Sequence, residues 1–158
     1  AYFLTTRGIP QIFYGSEILM THTEGDDHGR IRKDFPGGWA GDRVNAFTGE
    51  GLSDRQLEIQ NFFKSLLLWR KHTPVIHTGQ MTHFAPVEGT YTYFRHHTDD
   101  AIMVVLNKND QETTLDLDRF DEILKAYSAG TNILDNMHYD LNKQLTIGPK
   151  RALILQLK

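Results

Sequence analysis

Residues 26–34, Asp-Asp-His-Gly-Arg-Ile-Arg-Lys-Asp, place carboxylates next to guanidinium groups in one short polar segment. Both groups make charge-assisted hydrogen bonds, and both are good partners for sugar hydroxyls or for each other. Composition alone favours a cluster of surface ion pairs, which would contribute little to stability. The segment follows an apolar stretch, however, and ligands of parallel α/β folds meet the loops at the carboxyl ends of strands. Its position therefore shifts the balance toward a binding loop.

Trp39 lies in a second candidate element, the glycine-rich stretch 36–42. Its indole ring could stack on a sugar ring, or it could pin the loop to a neighbouring barrel. The sequence favours neither alternative.

Other chemistry has little support in the residue pattern. The eight histidines show no ligand spacing, and Ser16 lies in Tyr-Gly-Ser-Glu rather than in a G-x-S-x-G elbow. The acidic residues Glu24, Asp26 and Asp27 could hold calcium, but they lack the EF-hand spacing, so a solvated loop is the favoured interpretation. We therefore predict no metal site and no cofactor in this chain.

Composition narrows the class of protein. The chain has 158 residues, 39% of them hydrophobic and 23% charged, which is enough apolar material for a core. A net charge of −3 offers no footprint for nucleic acid or anionic membranes, and no apolar run approaches a membrane span. The absence of cysteine excludes disulfides and thiolate metal sites.

The stretch 7–17, Arg-Gly-Ile-Pro-Gln-Ile-Phe-Tyr-Gly-Ser-Glu, predicts a short strand that ends in a polar turn. Its apolar residues at 9 and 12–14 are typical of a strand buried on both faces, as in a parallel sheet covered by helices. Such a strand cannot fold alone. An exposed apolar strand edge within residues 1–20 should pair with another strand. A second copy of the chain could supply that strand, so these residues are a candidate interface of a homo-oligomer.

The remaining elements follow from periodicity and turn signals. Residues 21–52 form a long glycine-rich loop whose aromatic residues argue against disorder. Residues 53–72 predict a helix that begins with a Ser53/Gln56 capping box and ends before Pro74. Several short strands separated by turns come next and predict an antiparallel β-sandwich. The candidate strands are 90–95, 101–106, 112–117, 132–135, 145–147 and 151–157, with a short helical or irregular connection at 118–127.

Residues 4–20 resemble the segment around the eighth strand of the alpha-amylase family of glycoside hydrolases, family 13. The shared pattern is Gly-x-Pro-x-x-Tyr-Gly-x-Glu, and it is matched by Gly8, Pro10, Tyr14, Gly15 and Glu17. The sequence at 32–39 resembles the neopullulanase, cyclomaltodextrinase and SusA-type branch. In that family a helix and a C-terminal all-β domain come next, in the order seen here.

The resemblance implies a parent enzyme that hydrolyses α-1,4-glucosidic bonds of starch oligosaccharides, pullulan or cyclodextrins with retention of configuration. In the family, the three catalytic carboxylates come from the fourth, fifth and seventh strands. No catalytic residue is therefore assigned here, and we expect the isolated chain to be inactive. The parent enzyme could bind calcium, and its expected location is periplasmic or secreted, with a cytoplasmic location as the alternative.

The resemblance also assigns candidate site residues. Tyr14 and Glu17 would support the floor of the active site. Asp27, Arg30 and Arg32 would lie in the loop that contacts glucose units, although the alignment is ambiguous by a residue or two. Trp39 is added to these as a candidate substrate-binding residue.

We predict two domains. Residues 1–78 would be the last βα unit of a (β/α)8 barrel, and residues 79–158 a C-terminal antiparallel sandwich. The sandwich alone is best explained as a structural domain that caps barrel helices. The alternative is a free-standing carbohydrate-binding or interaction module, which would use Tyr91, Tyr93 and Phe94.

Overall fold

The computed structural model describes residues 1–21, 25, 27–29, 31–142 and 144–158. Four α-helices lie in these residues: α1 (Tyr2–Thr5), α2 (Asp54–Lys71), α3 (Pro74–Thr78) and α4 (Asp121–Leu124). The strands are β1 (Gln80–His83), β2 (Thr90–His96), β3 (Ala101–Asn107), β4 (Thr113–Asp116), β5 (Ala129–Asn132), β6 (His138–Asp140), β7 (Gln144–Ile147) and β8 (Ala152–Leu157). Short 3-10 helices occur at Ser16–Ile18 and Asp118–Phe120. None of the described helices is long and apolar enough to cross a membrane.

The strands form two antiparallel sheets. The larger sheet has six strands in the order β1-β2-β3-β8-β5-β6, and the smaller pairs β4 with β7. Register is regular in the centre of the large sheet, where Phe94 on β2 lies opposite Met103 on β3, and Met103 lies opposite Leu155 on β8. The predicted C-terminal β-sandwich is therefore confirmed.

An apolar core lies on one face of the large sheet. It includes alternate residues of β3 and β8, together with residues of β4, β7 and α4 that are also buried. Phe94 packs against Phe84 and Phe120, with ring centroids 5.9 and 6.0 Å away. Full burial of a large apolar side chain contributes about 1.5–3 kcal/mol, so this core is the main stabilising element of the sandwich.

The opposite face of the large sheet is buried as well. Ile102 and Val104 on β3 are fully buried, although they alternate with the residues that face the core. Helix α3 contacts β2 and β3, and its residues Val75 and Ile76 are buried. Burial on both faces explains why the sequence of β3 is a continuous apolar run rather than an alternating one.

Helix α2 begins where the sequence predicts. The backbone N–H of Ser53 donates to Oε1 of Gln56 at 3.0 Å, and the N–H of Gln56 donates to Oγ of Ser53 at 3.4 Å. This reciprocal pair is a capping box, which satisfies N–H groups that the first helical turn leaves free. The helix ends at Lys71, and Pro74 then starts α3 at a position where a missing N–H costs nothing.

The chain divides into two compact units. One consists of Ala1–Ile9 with Leu66–Lys158, and the other of Pro10–Ser65. In the second unit the long loop is built of turns: the N–H of Asn45 donates to the carbonyl of Glu50 at 2.8 Å, and that of Ala46 to Pro36 at 3.0 Å. The predicted division at residue 78 stays a prediction.

Two sequence-based expectations about strands are wrong. Residues 9–14 form no strand: Ile9 is 97% exposed and Phe13 is 58% exposed. A strand needs neighbouring backbone to accept its hydrogen bonds, and no described strand pairs with this segment. The strand expected at 132–135 lies instead at β5, because the chain turns after Asn132, whose carbonyl accepts the N–H of Asn136 at 2.8 Å. Strands β1 and β6 were not expected.

Candidate functional site

The turn after residue 14 requires a glycine. Gly15 has φ of 85°, and a Cβ there would collide with the side chain of Met20. The carbonyl of Gly15 accepts the N–H of Met20 at 2.9 Å, which closes the turn around the buried side chain of Ile18. Glu17 lies half-buried in this 3-10 turn. The Tyr-Gly-Ser-Glu motif is therefore a turn whose geometry only glycine adopts without strain.

Tyr14 links this turn to the charged segment. Its hydroxyl donates to the backbone carbonyl of Lys33 at 2.9 Å, and the ammonium group of Lys33 donates to the carbonyl of Thr21 at 3.1 Å. These two bonds bring residues 14, 21 and 33 together although they are distant in sequence. Tyr14 thus holds the backbone at Lys33 in place, and its role at the floor of an active site stays a prediction.

A groove of about 140 Å³ lies beside Tyr14. It is lined by Phe13, Tyr14, Ser16, Met20, Thr21, Ile31 and Lys33. The ring centroids of Phe13 and Tyr14 lie 4.7 Å apart, and the two residues are 58% and 41% exposed. The groove therefore offers aromatic surface as well as polar groups. Pockets for whole ligands usually measure about 300–1,000 Å³, so this groove is large enough for only part of a binding site.

The charged segment organises its own backbone. Oδ1 of Asp27 accepts the N–H of Gly29 at 2.9 Å, and Nη1 of Arg32 donates to the carbonyl of His28 at 2.9 Å. Both side chains are exposed. Arg30 lies outside the described residues. Asp27 and Arg32 therefore lie in one short turn on the surface, close in sequence to the groove residues Ile31 and Lys33.

Trp39 is held on the surface by its backbone. Oδ2 of Asp42 accepts the N–H groups of Gly37 and Trp39 at 2.7 and 3.2 Å, which fixes the turn, while the side chain of Trp39 is 68% exposed. Asp42 fixes the backbone of the turn, and the exposed indole ring could stack on a ligand. Sequence reasoning did not identify Asp42, although an Asp after a Pro-Gly-Gly turn is a usable signal.

Helix α2 positions both loop segments through two glutamines. Nε2 of Gln56 donates to the carbonyl of Ile18 at 2.9 Å, and Nε2 of Gln60 donates to the carbonyl of Ala46 at 2.7 Å. The sequence identified Gln56 as a capping residue only and did not identify Gln60. Both side chains lie one turn apart on the same helix face, which periodicity could have indicated.

The aromatic residues of the sandwich are mostly unavailable. Tyr93 and Phe94 are fully buried, so two of the three residues proposed for a free-standing module cannot contact a ligand. Tyr91 is half-buried, and its ring lies 6.2 Å from that of Tyr2, which is 52% exposed. Burial, with a smaller contribution from Tyr2, raises the pKa of Tyr91 and keeps its phenol neutral.

Within the part of the chain that the structure describes, no group of three acidic or histidine side chains is arranged to hold a metal ion. Glu24 and Asp26, two of the three candidate calcium ligands, lie outside the described residues. The described site residues therefore offer hydrogen-bond donors, carboxylate oxygens and exposed rings. This combination suits a neutral polyhydroxylated ligand.

Residues 81–156 match a family model described as the cyclo-malto-dextrinase C-terminal domain. The chain also resembles solved structures along almost its whole length. AmyP, of which a variant was crystallised in complex with maltotriose, is 19% identical with a TM-score of 0.75, and the match covers 99% of this chain and 33% of that one.

Two further structures show the same fold. The alpha-amylase of Geobacillus thermoleovorans, complexed with acarbose, is 18% identical with a TM-score of 0.68, and 99% of this chain covers 31% of it. The trehalulose synthase MutB of Pseudomonas mesoacidophila is 17% identical with a TM-score of 0.69, and 99% of this chain covers 37% of it. The chain thus spans about a third of the length of the solved structures it matches.

Proposed function

Because residues 81–156 match the cyclo-malto-dextrinase C-terminal domain model, we propose that the chain is the C-terminal part of a retaining α-glucan hydrolase. The resemblance to the C-terminal portion of the alpha-amylase family is confirmed by this match and by the fold that the chain shares with such enzymes. The observation that supports the proposal best is the order of three features along the chain. The Gly-x-Pro-x-x-Tyr-Gly-x-Glu motif comes first, α2 follows, and the matched domain comes last.

The proposed substrates are α-1,4-linked starch oligosaccharides, pullulan or cyclodextrins. Their cleavage uses a carboxylate nucleophile and a carboxylic acid that acts first as acid and then as base. We propose that both lie outside these residues, in the barrel of the parent enzyme. The same fold occurs in a trehalulose synthase, so the fold alone does not identify the reaction.

Residues of the unit Pro10–Ser65 would then contact substrate rather than perform the chemistry. The exposed guanidinium of Arg32 and the carboxylate of Asp27 are suited to bind glucose hydroxyls, with Arg30 as a third contact. Trp39 would stack on a sugar ring, which exposes apolar C–H groups on one face. Residues 79–158 would be the structural sandwich domain, and residues 1–78 the end of the barrel.

A carbohydrate-binding module is the second candidate function. It is favoured by one observation, the surface pair of Tyr2 and Tyr91 beside His83, whose ring lies 6.3 Å from that of Tyr91. Tyr2 is exposed and Tyr91 is half-buried, and aromatic rings that lie side by side at a surface can form a platform for a sugar ring. The pair lies on the unit that contains the sandwich, Ala1–Ile9 with Leu66–Lys158, which is called the sandwich unit below. This candidate therefore predicts binding that does not depend on the loop residues.

An activity assay tests the first proposal. The 158-residue chain is incubated with pullulan, β-cyclodextrin and maltoheptaose, and released reducing ends are measured. We expect no hydrolysis above the rate without protein, because the chain carries no catalytic pair in this assignment. Turnover that persists through successive purification steps would contradict it.

A binding assay separates the two candidate functions. Maltoheptaose is titrated into the labelled chain, and amide chemical shifts are followed in the wild type and in Trp39→Ala and Tyr91→Ala. Weakened binding in Trp39→Ala favours the substrate loop, and weakened binding in Tyr91→Ala favours the module. Phe47→Ala is a matched control, since Phe47 is 73% exposed but belongs to neither surface.

A further inference from the structure

Two arginines are buried in the sandwich unit. Arg95, on β2, is 2% exposed, and Arg70, at the end of α2, is 7% exposed. Arginine stays charged in proteins, and a buried charge is costly unless it is paired. The groups around these two side chains therefore show whether each guanidinium has a counter-charge.

Both guanidinium groups have only neutral partners. Nη2 of Arg95 donates to the carbonyl of Gly79 at 2.8 Å. Nη1 and Nη2 of Arg70 donate to the carbonyls of Leu4 and Gly8 at 2.6 and 3.2 Å. None of the ion pairs among the described residues includes either arginine.

Arg95 also has unused donors. Its Nε and Nη1 are buried and have no hydrogen-bond partner among the described residues. A buried N–H without an acceptor costs about 1–3 kcal/mol, and more when it is charged. Two buried nitrogens of one side chain therefore lack an acceptor in the part of the chain that the structure describes.

Nearby groups add positive rather than negative charge. Burial lowers the pKa of Arg95, and the charges of Arg70 and Arg7 lower it further. Burial raises the pKa of Tyr93, whose hydroxyl hydrogen-bonds to Thr5, so this neighbour stays a neutral phenol. Among the described residues, the charged groups that act on Arg95 are therefore positive, and no carboxylate forms an ion pair with it.

We propose that Arg95, with Arg70 beside it, forms a receptor for a carboxylate group. A carboxylate brings a full negative charge and several acceptor positions, which are the two things that Arg95 lacks. The acidic side chain of another protein segment is the first expected source, and a free small carboxylate is the second. Because Nε and Nη1 are covered, either source reaches them only when the cover over Arg95 opens. The proposal does not depend on the proposed hydrolase function.

The strand register provides a test of the protein-borne source. Met81 on β1 lies directly opposite Arg95, so the two side chains are on the same face of the sheet. Met81→Glu would place a carboxylate next to the guanidinium, and Met81→Gln is its uncharged match. We expect Met81→Glu to melt about 2–4 °C higher than Met81→Gln in the 158-residue chain. The difference should vanish when both are combined with Arg95→Met.

A titration tests the free source. The melting temperature of the wild-type chain is measured in sodium acetate and in sodium chloride at equal ionic strength, with Arg95→Met as the control. A rise that is specific to acetate and lost in Arg95→Met identifies a free carboxylate. If only Met81→Glu stabilises the chain, Arg95 accepts a carboxylate that the protein holds next to it and does not take up a free one.

The proposal is overturned if neither acetate nor Met81→Glu stabilises the protein. If Arg95→Met does not fold, the proposal is judged from the two comparisons in which Arg95 is unchanged. These are the melting temperature in acetate against chloride, and that of Met81→Glu against Met81→Gln.

Discussion

The two compact units are stabilised in different ways. Leu66–Lys158 with Ala1–Ile9 buries a large apolar core, and Phe94 and Met103 in it have no exposed surface. Pro10–Ser65 relies on turn hydrogen bonds and leaves Trp39 and Phe47 68% and 73% exposed. The first pattern is that of a scaffold, and the second is that of a surface that carries functional groups. The family-model match lies in the first unit, and the candidate site residues lie in the second.

The sharpest test of the comparison is the removal of one aromatic ring from each unit. Phe94→Ala should destabilise the protein by about 3–5 kcal/mol, because it leaves a cavity between Phe84 and Phe120. Trp39→Ala should change stability by less than about 0.5 kcal/mol, because the ring is exposed. Urea unfolding followed by circular dichroism measures both. Equal losses would show that the two units do not differ as described.

Two asparagines give a second comparison. Asn107 is 4% exposed, and its Nδ2 donates to the carbonyls of Gln111 and Gly148 at 3.0 Å each. The same Nδ2 donates to the buried carbonyl of Ile147 at 3.3 Å, so Asn107→Ala should cost about 2–3 kcal/mol, since one buried and two part-buried carbonyls lose their donor. Asn45→Ala should cost about 1 kcal/mol, because Asn45 serves N–H groups that water can reach. A larger loss for Asn45→Ala, measured by thermal unfolding, would reverse the assignment of scaffold and surface.

The smallest expected effect concerns the start of α2. Ser53→Ala removes the hydroxyl of the capping box and should cost about 1 kcal/mol. The control is Ser65→Ala, on an exposed position within the same helix, which should be neutral or stabilising by up to about 0.5 kcal/mol. Differential scanning calorimetry distinguishes the two. If Ser53→Ala is as stable as Ser65→Ala, the cap contributes nothing.

Much of the candidate site follows from sequence alone. The Tyr14-Gly15 turn was predicted as a polar turn, and the structure shows the positive φ and close approach that require glycine. Asp42 and Gln60 were not identified as loop-positioning residues. Their partners are backbone groups, at positions 37 and 39 for Asp42 and at position 46 for Gln60, and backbone groups leave no mark in a residue pattern.

The sequence by itself determined the sandwich, α2 with its capping box, and the motif at residues 8–17. These features depend on local signals, namely side-chain period, capping residues and turn residues. Only the tertiary structure decided that residues 9–14 form no strand and that Nε and Nη1 of Arg95 have no acceptor among the described residues. Both depend on which groups lie alongside in space: a strand exists only where a second strand accepts its hydrogen bonds, and a buried donor is satisfied only where an acceptor lies next to it.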